Sequence, residues 1–369
     1  MVSSEVKNPA SEVDVAELSF RLRGLLVGTA VGDALGLPAE GLSRRRTQGR
    51  YRGQWRHRLI FGRGMISDDT EHTIFVGQCL LRHPDDPAGF ARRLAWCLRG
   101  WLWSLPAGIG LATGRAIGKL WLGFPPHASG VYSAGNGPAM RVAIIGAFFA
   151  DDADRRAAYV AASTRMTHTD PKALIGATAI AELAAWIVRA RLTAPPPLDD
   201  FLAVLRRCGP ADHDWPGLVD TIAQAAREDV SVAVLAERLG LAEGVTGYIY
   251  HTVPVVVYAW FRHGSDFRAT LTAVLDCGGD TDTTGAIVGA LAGAMCGEDA
   301  IPAHWRAGVM DWPRSLAVLR TLADRLATVR TTGRAAAPVR YFWPAIVPRN
   351  LLFLLIVLLH GFRRLLPPY

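Results

Sequence analysis

The sequence predicts an all-α protein. Half of its 369 residues are apolar, with alanine, leucine, valine and glycine dominant. Period-two alternation of β-branched residues is scarce, and in the longer apolar stretches hydrophobic residues recur at helical spacing. The length suffices for one large domain or two smaller ones. A net charge of +7 and a pI near 9.4 are compatible with nucleic-acid binding, with an anionic ligand, or with nothing specific. The chain lacks the basic stripe interleaved with aromatics that a single nucleic-acid strand requires, so no nucleic-acid binding is expected. Its five cysteines are odd in number and without CxxC spacing. That pattern suits a reduced, cytoplasmic compartment and argues against a zinc site.

Taken in order, residues 1–17 are polar and acidic, lack the apolar core of a signal peptide, and read as a disordered lead. The next stretch, to Glu40, carries glycines at 24, 28 and 32, a four-residue ladder that lets a second helix approach closely. Arg21, Arg23 and Asp33 interrupt it, so the ladder says nothing of membranes. Asp33 and Glu40 flank the helix end at Gly36–Pro38. Residues 43–63 hold Arg44, Arg45, Arg46, Arg50, Arg52, Arg56, Arg58 and Arg63, either a solvated loop or a contact to phosphate.

At Met65–Phe75, Ser67 is a good N-cap, and Asp68, Asp69 and Glu71 suit the positive end of a helix. Helices follow to about Lys119, with Trp96, Trp101, Trp103 and Trp121 expected in the core. Gly130–Arg141 reads as a glycine loop running into a helix with Pro138 in its first turn, a source of backbone N–H groups for phosphate or carboxylate. His168 precedes a helix over 173–191 and is either a capped-turn histidine or part of a site. A proline-rich connector covers 193–198, short amphipathic helices 199–245, and an apolar helix Tyr248–Phe261.

Cys277-Gly-Gly-Asp-Thr-Asp-Thr-Thr-Gly285 then packs Asp280, Asp282, Thr283 and Thr284 into one turn at a helix start. Capping alone explains such residues. An EF-hand does not, because Leu291 stands where its bidentate glutamate belongs. Yet Ser67-Asp68-Asp69-Thr70 repeats the same chemistry. Two acidic, hydroxyl-bearing helix starts can converge on shared cations, which relieve the repulsion between their carboxylates. Hard oxygens favour Mg²⁺, Mn²⁺ or Ca²⁺.

Residues 328–339 read as a linker, and 328–369 as linker plus apolar tail. Leu351–Phe362 as a helix spans roughly 18 Å, short of the ~30 Å hydrocarbon core. A buried or interfacial helix is expected, with membrane-surface contact through residues 343–366.

Together these segments resemble the ADP-ribosylglycohydrolase family. The resemblance covers about residues 19–315, within a domain placed at 18–327. It rests on Gly32-Asp-Ala-Leu-Gly-Leu-Pro-Ala-Glu40, Ser67-Asp-Asp-Thr70, Gly135-Asn-Gly-Pro-Ala-Met-Arg141, Thr167-His168 and Gly279-Asp-Thr-Asp-Thr-Thr-Gly285. It implies orthogonally packed helices around a central dinuclear cleft with two Mg²⁺ or Mn²⁺ ions. Their ligands would be Ser67, where the family more often has threonine, with Asp68 and Asp69 on one side and Asp280, Asp282 and Thr283 on the other. Glu40 matches a glutamate that helps control access to the metals. Gly135, Asn136, Gly137, Met140, Arg141 and His168 match segments lining the ADP-ribose site.

The implied reaction is hydrolysis of the bond joining ADP-ribose to a protein or small-molecule acceptor. Glu40, Asp69 and Asp282 are the candidates for proton transfer, and the sequence leaves their division of labour open. An ADP-ribose-binding module without turnover and a dinuclear phosphoesterase are the alternatives.

Overall fold

Two helices that meet glycine to glycine form the axis of the fold. The structure is a computed structural model and describes residues 14–365. The first helix, Val15–Gly36, starts where Asp14 accepts a hydrogen bond from Ala16 N at 2.9 Å. Most of the lead expected through residue 17 therefore lies outside the described residues, and its last three residues are helical. The partner is the Thr281–Cys296 helix, running antiparallel. A Cβ added to Gly24 would lie 2.0 Å from Gly293 O, one on Gly28 2.1 Å from Gly289 O, and one on Gly32 2.0 Å from Gly285 O. The expected ladder thus meets a second ladder of the same spacing, Gly285, Gly289 and Gly293. The backbones touch at successive turns, a separation that no side chain permits.

Around this axis pack the helices Asp68–Arg82, Ala143–Phe148, Pro171–Arg189, Ile249–His263 and Leu316–Thr332. Among the described residues there are seventeen α-helices and isolated bridges in place of a sheet, so the all-α class is the observed one. One bridge matters for function. Gly279, with φ of +82°, sits between Leu42 and Val245, donating to Leu42 O at 2.8 Å while Asp280 N donates to Val245 O at 2.7 Å. A Cβ there would stand 2.0 Å from Val245 O. Only glycine fits both the turn and the approach.

Three expectations change. The arginine-rich stretch holds a helix, Arg44–Tyr51, because Thr47 and Tyr51 are buried and Tyr51 stacks on Trp55 at 3.9 Å. Of the four tryptophans assigned to the core only Trp101 is buried; Trp96, Trp103 and Trp121 are exposed. The helix entering the expected linker continues to Thr332, holding Leu326, Ala327 and Val329 inside. Beyond it the chain is pinned rather than loose. Val339 N donates to Gln78 Oε1 at 2.7 Å, and Gln78 Nε2 returns a bond to Val339 O at 2.9 Å.

The tail forms a helix, Ile346–Arg363, seated on the domain. Arg349 reaches Asp311 Oδ2 at 2.5 Å and Ile66 O at 2.6 Å, and Asn350 Nδ2 donates to Ser104 O at 2.7 Å. Phe353 and Ile356 join Leu37, Leu59, Met65 and Ala107 in a small apolar cluster. At the far end Arg364 donates to Glu40 O at 2.6 Å and to Pro38 O at 2.8 Å. Removing one partner of a buried ion pair leaves an uncompensated charge. Arg349→Ala is therefore expected to destabilise the protein by about 3–5 kcal/mol, seen as a lower urea midpoint. Asp311→Asn in the same chain should recover part of that loss.

Candidate active site

The cleft opens where the two glycine helices end, because Gly36 abuts Thr281 and brings the end of one helix against the start of the other. It encloses about 640 Å³. Ser67, Asp68, Asp280, Asp282, Thr283 and Glu40 all line it. The two acidic helix starts do converge.

Asp33 holds the first of them. Its carboxylate, wholly buried in the first helix, accepts from Ser67 N at 3.0 and 2.9 Å, from Thr70 N at 3.2 Å and from Thr70 Oγ1 at 2.5 Å. Burial still pushes it up to about 6 against those donors. Ser67 caps the Asp68–Arg82 helix as expected, its Oγ accepting from Asp69 N. Asp69 lies just behind the cleft wall and ties the two starts together. Its Oδ2 accepts from Ser67 Oγ at 3.1 Å and from Thr283 Oγ1 at 3.4 Å.

Burial, then the charge of neighbouring carboxylates, pushes Asp68, Asp69 and Asp282 well above the usual carboxylate range. Asp280 is among the neighbours that raise Asp282. Asp69 Oδ1 and Asp282 Oδ1 are buried with no hydrogen-bond partner. Such orphaned oxygens are costly unless something pairs with them. An all-oxygen set with unpartnered carboxylates fits a hard divalent cation. Among the described residues no three carboxylate, imidazole or thiol groups already close on one point. The donors are divided between two helix starts, with hydroxyls between them. Glu40 is solvent-exposed at the rim yet closely surrounded. Crowding and Asp280 push its carboxyl up, and Arg364 opposes them.

The glycine loop forms the opposite wall. Gly135, Asn136, Gly137, Met140 and His168 line the cleft. The loop is less of a backbone cradle than its sequence suggests, because Gly135 N donates to Ser133 Oγ at 3.3 Å and Asn136 N to Gly247 O at 2.9 Å. The Asn136 side chain is also engaged, donating to Asp280 Oδ2 at 2.7 Å and Thr252 Oγ1 at 2.9 Å. It braces an acidic residue.

Arg141 departs from the expected substrate contact. Its buried guanidinium turns inward, to Ser163 O at 2.8 Å and Thr167 Oγ1 at 2.7 Å, and burial pulls it down to about 10. It positions Thr167, whose hydroxyl lies 2.9 Å from His168 Nδ1. Thr167 accepts from Arg141, and its proton goes either to Thr164 O, 3.5 Å away, or to His168 Nδ1. When it goes to Nδ1, the ring carries Nε2–H beside Gly135 and Gly137, where a Cβ would come within 3.0 and 3.1 Å of the ring.

Burial, then Arg141, lowers His168 to about 3. A folded-state value below the unfolded ~6.5 means the unfolded chain binds the extra proton between those limits. Stability then rises with pH across the window and is lost as pH falls from ~6.5 toward 3. By pH 5 this one residue should cost about 2 kcal/mol. His168→Gln is expected to flatten that part of a stability-against-pH curve.

Sequence reading missed further parts of the wall, among them Thr113, Thr246 and, from the tail, Phe353 and Val357. Thr246 follows no recognisable signal. The tail residues lie outside every motif.

A model of the ADP-ribosylglycohydrolase family matches residues 14–336. An uncharacterized protein of Archaeoglobus fulgidus is 33% identical over 79% of this chain and 92% of its own length. The ADP-ribosyl-[dinitrogen reductase] glycohydrolase of Rhodospirillum rubrum is 30% identical over 77% of this chain and 88% of its own. A solved structure described as an ADP-ribosylglycohydrolase-related protein complex superposes with a TM-score of 0.62 and 26% identity, covering 85% of this chain and 99% of that one. With that match over most of its length, and with the two acidic helix starts facing one cleft, the chain belongs to the ADP-ribosylglycohydrolase family, hydrolases of ADP-ribosyl linkages.

Proposed function

We propose that this chain hydrolyses the N- or O-glycosidic bond between ADP-ribose and an acceptor, in a cleft that holds two divalent cations. The observation that carries this reading is the pair of unpartnered, buried carboxylate oxygens, Asp69 Oδ1 and Asp282 Oδ1, at the joint of two acidic helix starts. Ser67, Asp68, Asp69, Asp280, Asp282 and Thr283 would hold Mg²⁺ or Mn²⁺. Bound there, the ions would lower the pKa of a water and fix oxygen groups of the substrate.

The chain's own residues do the remaining work. Cleavage at an anomeric carbon passes through an oxocarbenium-like transition state, whose positive charge a carboxylate-rich wall favours. Glu40 projects from the turn after the first helix and belongs to neither helix start. That freedom suits it to exchange a proton with the attacking water or the departing acceptor. Asp33 and Asn136 hold the two acidic segments in register. Neutral His168, with Nε2–H toward the cleft, can donate to an anionic pyrophosphate without bringing a second charge that titrates. The relatives named for hydrolysis of ADP-ribosylated dinitrogen reductase and, in Gallus gallus, as ADP-ribosylhydrolase ARH3 support the substrate class.

The test is release of free ADP-ribose from a panel of ADP-ribosylated proteins and small molecules, with Mg²⁺, with Mn²⁺ and with chelator. Metal-dependent release is expected. ADP-ribose binding without release would assign a binding module instead, and inorganic phosphate as product a phosphoesterase.

A further inference from the structure

The tail helix is apolar on two faces. Its inner face packs on the domain, while the other presents Leu351, Leu352, Leu355, Leu358, Leu359 and Phe362, each between 49% and 64% exposed. Their spacing traces one continuous helical stripe. Exposed Phe342 and Trp343 extend the surface at its start, and Leu365 at its end. A contiguous apolar face of this kind on a folded domain marks an interaction surface.

Charge says what covers it. No aspartate or glutamate follows Asp324. Of the arginines that do, Arg349 is buried against Asp311, whereas Arg340, just before the tail helix, and Arg363, at its end, are exposed. The segment beneath the helix is also basic. Leu59 and Ile60 pack in the cluster under the tail, Arg50 is close enough to oppose protonation of His360, and Arg45, Arg46, Arg52, Arg56 and Arg63 are exposed. Phe61 stands 99% exposed at the tip of that same segment. Exposed leucines and aromatics, with arginines at the ends of the helix and on the segment that packs beneath it, match the boundary of an anionic bilayer, where apolar side chains enter the acyl region and guanidinium groups meet headgroup phosphates.

We propose that the outer face of the Ile346–Arg363 helix docks this protein on the surface of an anionic lipid bilayer. The helix lies on the membrane and does not cross it. The most apolar 18-residue window within residues 343–363 has a mean hydropathy of 1.9, and the helix has the length to span, but Arg349 is held to Asp311 and Asn350 to Ser104. Crossing would tear these buried groups from their partners. A second copy of the chain fits the face less well, since stacking two arginine-rich surfaces sets like charges together.

The test is flotation of the full chain with vesicles of phosphatidylglycerol and phosphatidylcholine in equal parts, and with phosphatidylcholine alone. Expected is flotation with the anionic vesicles, weakened by salt, and a bound fraction at least roughly tenfold lower in L355E/L359E. Both positions are outside the cleft, so that variant should keep the wild-type melting temperature and ADP-ribose release. The proposal is overturned by three results: equal flotation on both vesicle types, no flotation at all, or a dimer in light scattering that L355E/L359E dissolves. Binding to anionic vesicles that survives alkaline carbonate would overturn the surface mode in favour of a span.

Discussion

Asp282→Asn is expected to raise the melting temperature of the metal-free protein by a degree or so while lowering turnover by more than about 100-fold. The two effects have one cause. Asp282 is buried, crowded by Glu40, Asp280 and Asp69, and keeps one oxygen without a partner. Neutralising it relieves repulsion in a dry site. The same change would remove one of the proposed metal ligands, and losses larger than those of outlying groups, themselves about 10–100-fold, are to be expected. In the wild type, Mg²⁺ or Mn²⁺ at a hundredfold excess over its dissociation constant should stabilise by about 2.7 kcal/mol. The variant should lose most of that response. Melting curves with and without metal decide the matter: a variant less stable than wild type that still responds fully would remove Asp282 from the metal set.

Gly28→Ala is expected to have the largest effect on folding. One methyl group would have to sit 2.1 Å from Gly289 O, inside the contact distance of any carbon and oxygen. Neither neighbour is the end of a flexible side chain, so the two helices must separate along their length. Overpacking a core side chain costs about 1–3 kcal/mol, and a backbone-to-backbone clash should exceed that range. Gly49→Ala is the matched control. It lies in the Arg44–Tyr51 helix with nothing within 4 Å of its added Cβ. Helix propensity should leave it neutral or up to about 1 kcal/mol more stable. If Gly28→Ala melted within a degree of wild type, the glycine contact would not set the helix separation.

The main axis of the fold was half legible. Gly24, Gly28 and Gly32 announce a close neighbour, but glycine spacing does not name its partner. Only the antiparallel pairing with Gly285, Gly289 and Gly293 does that, although the matching four-residue spacing was present in the sequence to be compared. The acidic helix starts were legible only as a pair: capping accounts for either alone, and it was the repeat of the same chemistry in a second segment that pointed to one shared site. Arg141 was not. A motif fixes which residue occurs, while the direction of a guanidinium depends on Ser163 and Thr167, which lie beyond the motif's span. The exposed tryptophans show a similar limit: Trp96 and Trp103 sit on the same helix as buried Trp101, and their helical phase, not their size, decides exposure. For Phe353 and Val357 no motif existed to read. They reach the cleft through tertiary packing alone.

The tail also alters what inheritance means for this chain. The family match ends at residue 336, whereas the cation that neutralises buried Asp311 stands at 349 and the one that grips the Glu40 turn at 364. A boundary drawn by ancestry therefore cuts through an electrostatic unit. Ending this chain at residue 336 would remove more than an appendage. Asp311 would stay buried without its counter-ion, and the backbone that carries Glu40 would lose the Arg364 anchor.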